Sequence, residues 1–290
     1  MTAIAPVHVI GASGRSGVSL CCALIAAGVP VVAVVRSPAR WAASGLSAHV
    51  RTAELADAAA LRGALAGAGR IVCCAHARHA AAVLAAAPPT ARFVFLGSTR
   101  KFTRWPDAHA EGVLAGEHAF RAAGRSGVML HPTMIYGAAG EDNVQRLAAL
   151  LRRLPLVPLP GGGRALVQPI HQDDVTRAIC AALDRTWPGP ETLTVAGPVP
   201  LAYADFVRAV AAAAGLRPPR IAAVPNRLLR AVAPLSRLVP GLPTIRTAEL
   251  RRLGEDKAFD IGPMRAILGF DPMPLAEGLA RTFARPQNDF

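Results

Sequence analysis

Three glycines carry the first chemical signal in this chain. Gly11, Gly14 and Gly17 stand in the run Gly11-Ala12-Ser13-Gly14-Arg15-Ser16-Gly17, directly after the apolar stretch Val7–Ile10 and at the head of a helical pattern. A strand that turns into a helix through such a run makes an anion cradle. The first glycine permits the tight turn, the second lets backbone approach a pyrophosphate, and the third lets helix and strand pack closely. The helix start adds unpaired N–H groups and the positive end of its dipole. The expected ligand is a dinucleotide, with Gly11, Ser13, Gly14, Arg15 and Gly17 around its phosphates. After the second β-branched run, Val31–Val35, an NAD site places a carboxylate against the ribose hydroxyls. Here Arg36 follows instead, with Arg40 one helical turn on. Guanidinium groups pair with a 2′-phosphate, so the expected cofactor is NADP, with NAD as the alternative.

Other residues invite chemistry less locally. Ser98 and Thr99 close the run Phe93–Leu96, at the sheet edge where doubly wound folds bind ligands. His76 and His79 flank Arg78 without acidic or cysteine partners at metal-ligand spacing, so they read as solvent-facing loop histidines and no metal site is expected. His171, Asp173 and Asp174 could form a metal or acid/base cluster, and His131 faces either the cofactor or the core. Gly161-Gly162-Gly163-Arg164 reads, on its residues alone, as a flexible loop or plain linker before the second lobe. Residues 226–253 repeat leucine and valine at near-helical spacing with Arg227, Arg230 and Arg237 between them. Such a stretch lies on an acidic membrane surface or packs on its own domain.

The elements that must position these residues alternate along the first half. Val7–Ile10, Val31–Val35, His49–Thr52, Ile71–Cys74, Phe93–Leu96 and Val128–Leu130 read as buried strands. Ser16–Ala27, Ala58–Ala66, His79–Ala86, Gly112–Ala123 and Val144–Leu154 read as helices between and after them. This order predicts an α/β fold, a doubly wound parallel sheet of Rossmann type with helices on both faces. The Pro/Gly-rich stretch near residue 155 divides a nucleotide-binding domain, 1–155, from a mixed region, 156–290. That region completes the sheet, with a strand at Glu191–Ala196, and forms a smaller C-terminal substrate lobe. Its helices are expected at Asp173–Asp184 and Tyr203–Ala214.

Taken in order, these motifs resemble the NAD-dependent epimerase/dehydratase group of the extended and atypical short-chain dehydrogenase/reductase superfamily, over nearly the whole chain. The resemblance implies that Glu54, in Glu54-Leu55-Ala56-Asp57, contacts the adenine beside Leu55. It implies that Ala75, after Cys73-Cys74, lies against the ribose, that Ser98 is the active-site serine, and that Pro132, in His131-Pro132-Thr133-Met134-Ile135-Tyr136-Gly137, lies near the nicotinamide. Gln168-Pro169-Ile170-His171-Gln172-Asp173-Asp174-Val175 is similar to the segment that opens the substrate lobe, with Asp174 as a helix-capping structural acid. Leu268-Gly269-Phe270-Asp271-Pro272 resembles the group's usual ending. The group's Tyr-x-x-x-Lys pair is missing, since aligning its following glutamate on Glu117 puts His109 and Val113 at those positions. Two functions follow. Either His109 exchanges the proton while Ser98 polarises a carbonyl, with charge from Lys101, in hydride transfer on a nucleotide-linked sugar or similar hydroxy/carbonyl compound. Or the chain is a non-catalytic, redox-sensing accessory protein that binds NADP without turnover.

Bulk composition narrows the partners. The 290 residues are 52% hydrophobic but only 5% aromatic, so the core must rest on Ala, Val and Leu. The net charge of +13 comes almost wholly from arginine, Lys101 and Lys257 being the two lysines. Such a charge attracts anions, yet no nucleic-acid module or basic patch interleaved with aromatics is present. A small-molecule substrate is therefore expected rather than nucleic acid, with peripheral membrane contact through 226–253 as the other option. Cys21, Cys22, Cys73, Cys74 and Cys180 fit neither a disulfide framework nor a zinc site. They point to a reducing cytoplasm. No charged leader precedes Val7 and no apolar run is long enough to span a bilayer, so neither secretion nor membrane insertion is expected.

Overall fold

The computed structural model describes residues 4–137, 143–154, 156–225, 227–229 and 251–284. Its centre is a parallel sheet built from β1 (Val7–Ile10), β2 (Val31–Val35), β3 (His49–Thr52), β4 (Arg70–Cys73), β5 (Arg92–Leu96), β6 (Gly127–Pro132) and a late strand, β11 (Pro190–Val195). Their order is β11-β6-β5-β4-β1-β2-β3, with every adjacent pair parallel. The doubly wound sheet expected from the strand–helix alternation is therefore present. Order reverses between β1 and β4, and the crevice above such a switch point is where these folds bind ligands.

The period of two along each strand sorts side chains onto two faces. Val7, Val9, Val31, Ala33 and Val35 pack on one side with Leu20, Leu24, Val175 and Ile179. Ile10, Val32 and Val34 pack on the other with Leu61, Val83, Phe93, Phe95 and Phe120. The first side is covered by α1 (Arg15–Ala26) and α7 (Gln172–Leu183), the second by α3 (Ala58–Ala64), α4 (Ala80–Ala86) and α5 (Ala108–Ala123). Each such side chain removed from water contributes about 1.5–3 kcal/mol. A short α2 (Pro38–Ala42) lies between β2 and β3, with Ser37 Oγ accepting the Arg40 N–H.

The second half does two things. Through α7 and β11 it completes the main sheet and its cover. It also builds a separate core from Tyr136, Val144, Val157, Phe206, Val207 and Leu279. That core is framed by three two-stranded ribbons: β7 (Ile135–Tyr136) with β10 (Ile170–His171), β8 (Leu156–Pro160) with β13 (Arg220–Val224), and β9 (Leu166–Val167) with β12 (Leu201–Ala202). Helices α6 (Asn143–Leu151), α8 (Tyr203–Ala213), α9 (Gly262–Leu268) and α10 (Leu275–Ala284) complete the described chain.

Buried polar side chains tie the halves together. Ser16 Oγ donates to Gln172 Oε1 at 2.9 Å, joining the phosphate-loop helix to α7. Gln168 Oε1 accepts the Phe259 N–H at 2.7 Å while its Nε2 donates to the Gly197 carbonyl at 2.8 Å. Asp174, fully buried, accepts the Met273 N–H at 2.7 Å and an Arg177 guanidinium N–H at 3.0 Å. It is a structural acid, but the cap of α7 is His171, whose Nδ1 accepts the Asp173 N–H at 3.2 Å. Most of residues 226–253 lies outside the described residues. At its edges Leu228 is exposed and Leu229 packs against Val224 and Leu253.

Candidate functional site

The nucleotide end is made by the turn that leaves β1. Gly11 takes a φ of +74°, and its N–H bonds the Val34 carbonyl at 3.0 Å. A Cβ on Gly17 would lie 2.2 Å from the Gly11 carbonyl oxygen, so only glycine lets α1 start this close to the strand. No side chain caps α1 and no acid stands in its first turn, which leaves the positive helix end for an anion. Gly11, Ser13 and Gly14 open into a pocket of about 270 Å³ shared with Arg36, Arg40 and Glu54. Leu55 and Ala75 line it as well, together with Cys74 and His79. His79 is thus a pocket residue rather than a solvent-facing loop histidine. Arg36 and Glu54 face each other at 3.9 Å with exposed side chains. Arg15, Gly17 and Pro132 do not line this pocket. Gly17 serves packing, Arg15 is exposed on the first turn of α1, and Pro132 is buried in β6. A glycine cradle, an open helix start, an arginine after β2 and a carboxylate after β3 fit a dinucleotide.

A second, larger cleft of about 560 Å³ opens at the carboxyl ends of β5 and β6, lined there by Ser98, Thr99 and Thr133. Ser98 ends β5 and accepts the Arg100 N–H on its Oγ at 3.1 Å, and Thr99 donates to the Pro132 carbonyl at 3.2 Å. The opposite wall comes from Arg252, Glu255, Lys257 and Phe259. The two walls are laced together. Thr103 Oγ1 donates to Glu255 at 2.8 Å, the Arg104 N–H reaches Glu255 Oε1 at 2.7 Å, and Arg252 bonds Asp107 at 3.0 Å. Asp107 also accepts from Arg100 and caps α5 through the Ala110 N–H. Phe102 and Phe259 stand 5.7 Å apart at the cleft, so the wall is aromatic and cationic together. Burial lowers the Lys257 ammonium below its usual range, while its Nζ donates to the Arg252 carbonyl at 2.5 Å.

Beneath Ser98 lies a buried charge cluster. Lys101 Nζ meets Glu117 Oε2 at 2.5 Å, and the same oxygen is 3.0 Å from His131 Nε2. His131 Nδ1 accepts the Ser98 N–H at 3.2 Å. Burial lowers the His131 imidazole to about 4, Lys101 adding to the effect and Glu117 opposing it. Burial resists the ionisation of Glu117, but Lys101, His131 and Arg121 together hold its carboxyl below the usual value. His131 is thus a satisfied core histidine that backs the serine turn and lines neither pocket.

His109 sits elsewhere. It is exposed near the start of α5, its ring 4.3 Å from His76 and edge-on to it, and it is not among the residues lining the Ser98 cleft. Burial and then Arg100 lower its pKa, with Asp107 opposing. Val113, at the position of the missing lysine, is 1% exposed in the core. Tyr136 is buried against His171 at 5.2 Å and lies outside the cleft. Tyr203 lines the cleft, with its phenol pushed up by burial. Gly161–Gly163 form a 3-10 turn after β8 that does not line the cleft. Among the described residues no group of three or more His, Cys, Asp or Glu side chains converges as a metal site, and no helix is long and apolar enough to cross a membrane.

Comparison with known proteins agrees with this geometry. Residues 11–126 match the family model described as NAD(P)H-binding. An uncharacterised protein of Mycobacterium tuberculosis is 30% identical over 96% of this chain, and the chain spans 29% of that protein's length. The NADPH complex of an NADPH-dependent quinone oxidoreductase from Escherichia coli superposes with a TM-score of 0.72 at 18% identity, covering 96% of this chain and 99% of that one. A UDP-glucose 4-epimerase from Thermotoga maritima with UDP-glucose gives 0.72 at 14% identity, covering 96% and 97%. At these identities the likeness shows a shared Rossmann-like α/β fold.

Proposed function

We propose that the chain, whose residues 11–126 match the family model described as NAD(P)H-binding, is an NADP-dependent oxidoreductase or epimerase acting on an anionic hydroxy or carbonyl compound in the Ser98 cleft. The observation that carries the reading is the placing of that cleft. It opens at the carboxyl ends of β5 and β6, on the same edge of the parallel sheet as the glycine turn that follows β1, and its far wall supplies Arg252 and Lys257. A bound nicotinamide supplies or accepts the hydride. Arg36 and Arg40 favour NADP over NAD through a 2′-phosphate. Ser98 donates a hydrogen bond to the substrate oxygen and polarises it. Arg104 and Lys257 attract the anionic part of the substrate, and the rings of Phe102 and Phe259 shield it from water. Lys257, which lines the cleft and is made more acidic by burial, gives the proton to that oxygen. His109 is the other candidate donor, from outside the lining. The free cysteines suit a reducing, cytoplasmic setting.

One observation favours binding without turnover. The position of the missing lysine holds a core valine, Val113, so no cation there can activate a hydroxyl. Purified protein is titrated with NADPH and NADP, then supplied with quinones, aldehydes and nucleotide sugars while the reduced-cofactor absorbance is followed. Turnover that falls at least tenfold in Ser98→Ala supports the enzyme reading. A loss in Lys257→Met but not in His109→Phe assigns the proton to Lys257, and the reverse assigns it to His109. Tight binding with no turnover on any substrate supports the accessory reading.

A further inference from the structure

Lys101, Glu117 and His131 come from three elements: the 3-10 turn after β5, helix α5 and strand β6. Their side chains are 9%, 12% and 1% exposed. A buried lysine is costly unless its partner is well placed, and in this arginine-rich chain Lys101 is one of two lysines. Its compact ammonium reaches a single carboxylate oxygen that His131 also uses.

The hydrogens can be assigned from the partners. The Ser98 N–H points at His131 Nδ1, 3.2 Å away, so Nδ1 must offer a lone pair. Nε2 must then carry the hydrogen and donate it to Glu117 Oε2 at 3.0 Å. Lys101 Nζ, 3.2 Å from Nε2, is a second donor to that same oxygen and not a partner of the ring nitrogen. We propose that Lys101 is a positioning residue that fixes His131 as the Nε2–H tautomer, so that Nδ1 holds the backbone N–H of Ser98.

Electrostatics explains why a cation is needed. The charged groups facing His131 among the described residues are Lys101 and Glu117. Arg121, one turn along α5, meets the other Glu117 oxygen at 3.2 Å, and the neighbouring strand β11 brings only the uncharged Thr194 opposite. Without Lys101, the Glu117 carboxylate would draw a proton onto the imidazole. The imidazolium carries hydrogens on both nitrogens, so its Nδ1–H would confront the Ser98 N–H and that bond would be lost. Lys101 satisfies Glu117 instead and leaves the ring neutral.

The structural claim stands apart from the proposed reaction, while its catalytic consequence rests on the role read for Ser98. The test is long-range ¹H–¹⁵N spectroscopy of ¹⁵N-histidine protein, with His131 assigned by comparison with His131→Gln. Wild type should show His131 protonated on Nε2 only at pH 7, with no titration between pH 5.5 and 8. In Lys101→Met the ring should titrate at least one pH unit higher and gain a hydrogen on Nδ1 as it does so; Lys101→Arg, which keeps the charge, should restore the wild-type titration. A wild-type hydrogen on Nδ1 overturns the proposal, as does an unchanged titration in Lys101→Met, and the wild-type spectrum decides the tautomer even if the methionine variant does not fold. If the reaction is also as proposed, the acid limb of kcat moves up in Lys101→Met. Spectral change without any turnover to follow would sink the reaction and leave the positioning role intact.

Discussion

Gly97 lies so close to the His131 ring that a Cβ on it would stand 2.3 Å from Nδ1. The strand that delivers Ser98 therefore packs directly on the imidazole that holds the serine's backbone. Gly97→Ala must push either the ring or the strand end, an overpacking cost of about 1–3 kcal/mol. A lower midpoint in urea, with turnover reduced beyond what the unfolded fraction explains, is the expected outcome. Unchanged stability would mean that the contact yields freely.

Arg36 projects into the nucleotide pocket 3.9 Å from Glu54. Charge-assisted hydrogen bonds contribute about 1.5–3 kcal/mol, so Arg36→Asp should weaken NADPH binding roughly tenfold to a hundredfold while sparing NADH. Fluorescence titration with both cofactors measures the ratio. No change in it would show that Arg36 does not read the 2′-phosphate.

Glu255 bridges the two walls of the cleft through Thr103 and the Arg104 N–H. Glu255→Ala should loosen the segment that carries Lys257 and Phe259, raising KM at least tenfold with little loss of global stability. Hydrogen exchange should quicken in residues 251–259 and around 103. Protection left as in wild type would show that these bonds do not hold the wall.

His8 is buried in β1 with neither ring nitrogen hydrogen-bonded within the described protein. Burial, then Arg51 and His49, lower it to about 4, as burial and Lys101 do for His131. Both rings are neutral in the fold and protonate near 6.5 when unfolded. The unfolded chain thus binds more protons between pH 6.5 and 4, so stability is full above that window and falls as pH drops through it. Each ring accounts for at most on the order of 3 kcal/mol. Chemical denaturation at pH 7 and pH 5 should show the loss, and His8→Leu should remove part of it. A flat profile in wild type would contradict the burial of these rings.

The nucleotide end was legible because its signal is local. Three glycines within seven residues dictate the turn, and the period of two in β1 and β2 dictates which side chains face each core. Helix α5 begins at Ala108 rather than Gly112 because Asp107 caps it, and Ser37 with Pro38 starts the short α2. Both are signals present in the sequence. The cleft was legible only on its Ser98 wall, since Glu255, Lys257 and Phe259 belong to no motif and reach it by tertiary contact. Lys101, Glu117 and His131 were each visible as chemistry-bearing residues. Their convergence depends on how α5 crosses β5 and β6, which no spacing reveals.

The pairing of Glu255 with Thr103 across 152 residues has a consequence for assembly. Every residue lining the nucleotide pocket falls between Ile10 and His79, whereas the cleft is lined from Ser98 to Phe259. On a chain made from its amino terminus, the cofactor's half of the groove has all its parts before the substrate's half has any. Closing the long loop to Glu255 is the slower step, because its entropy must be paid before its contacts form. In order of synthesis, the residues of the nucleotide pocket thus precede those of the Ser98 cleft.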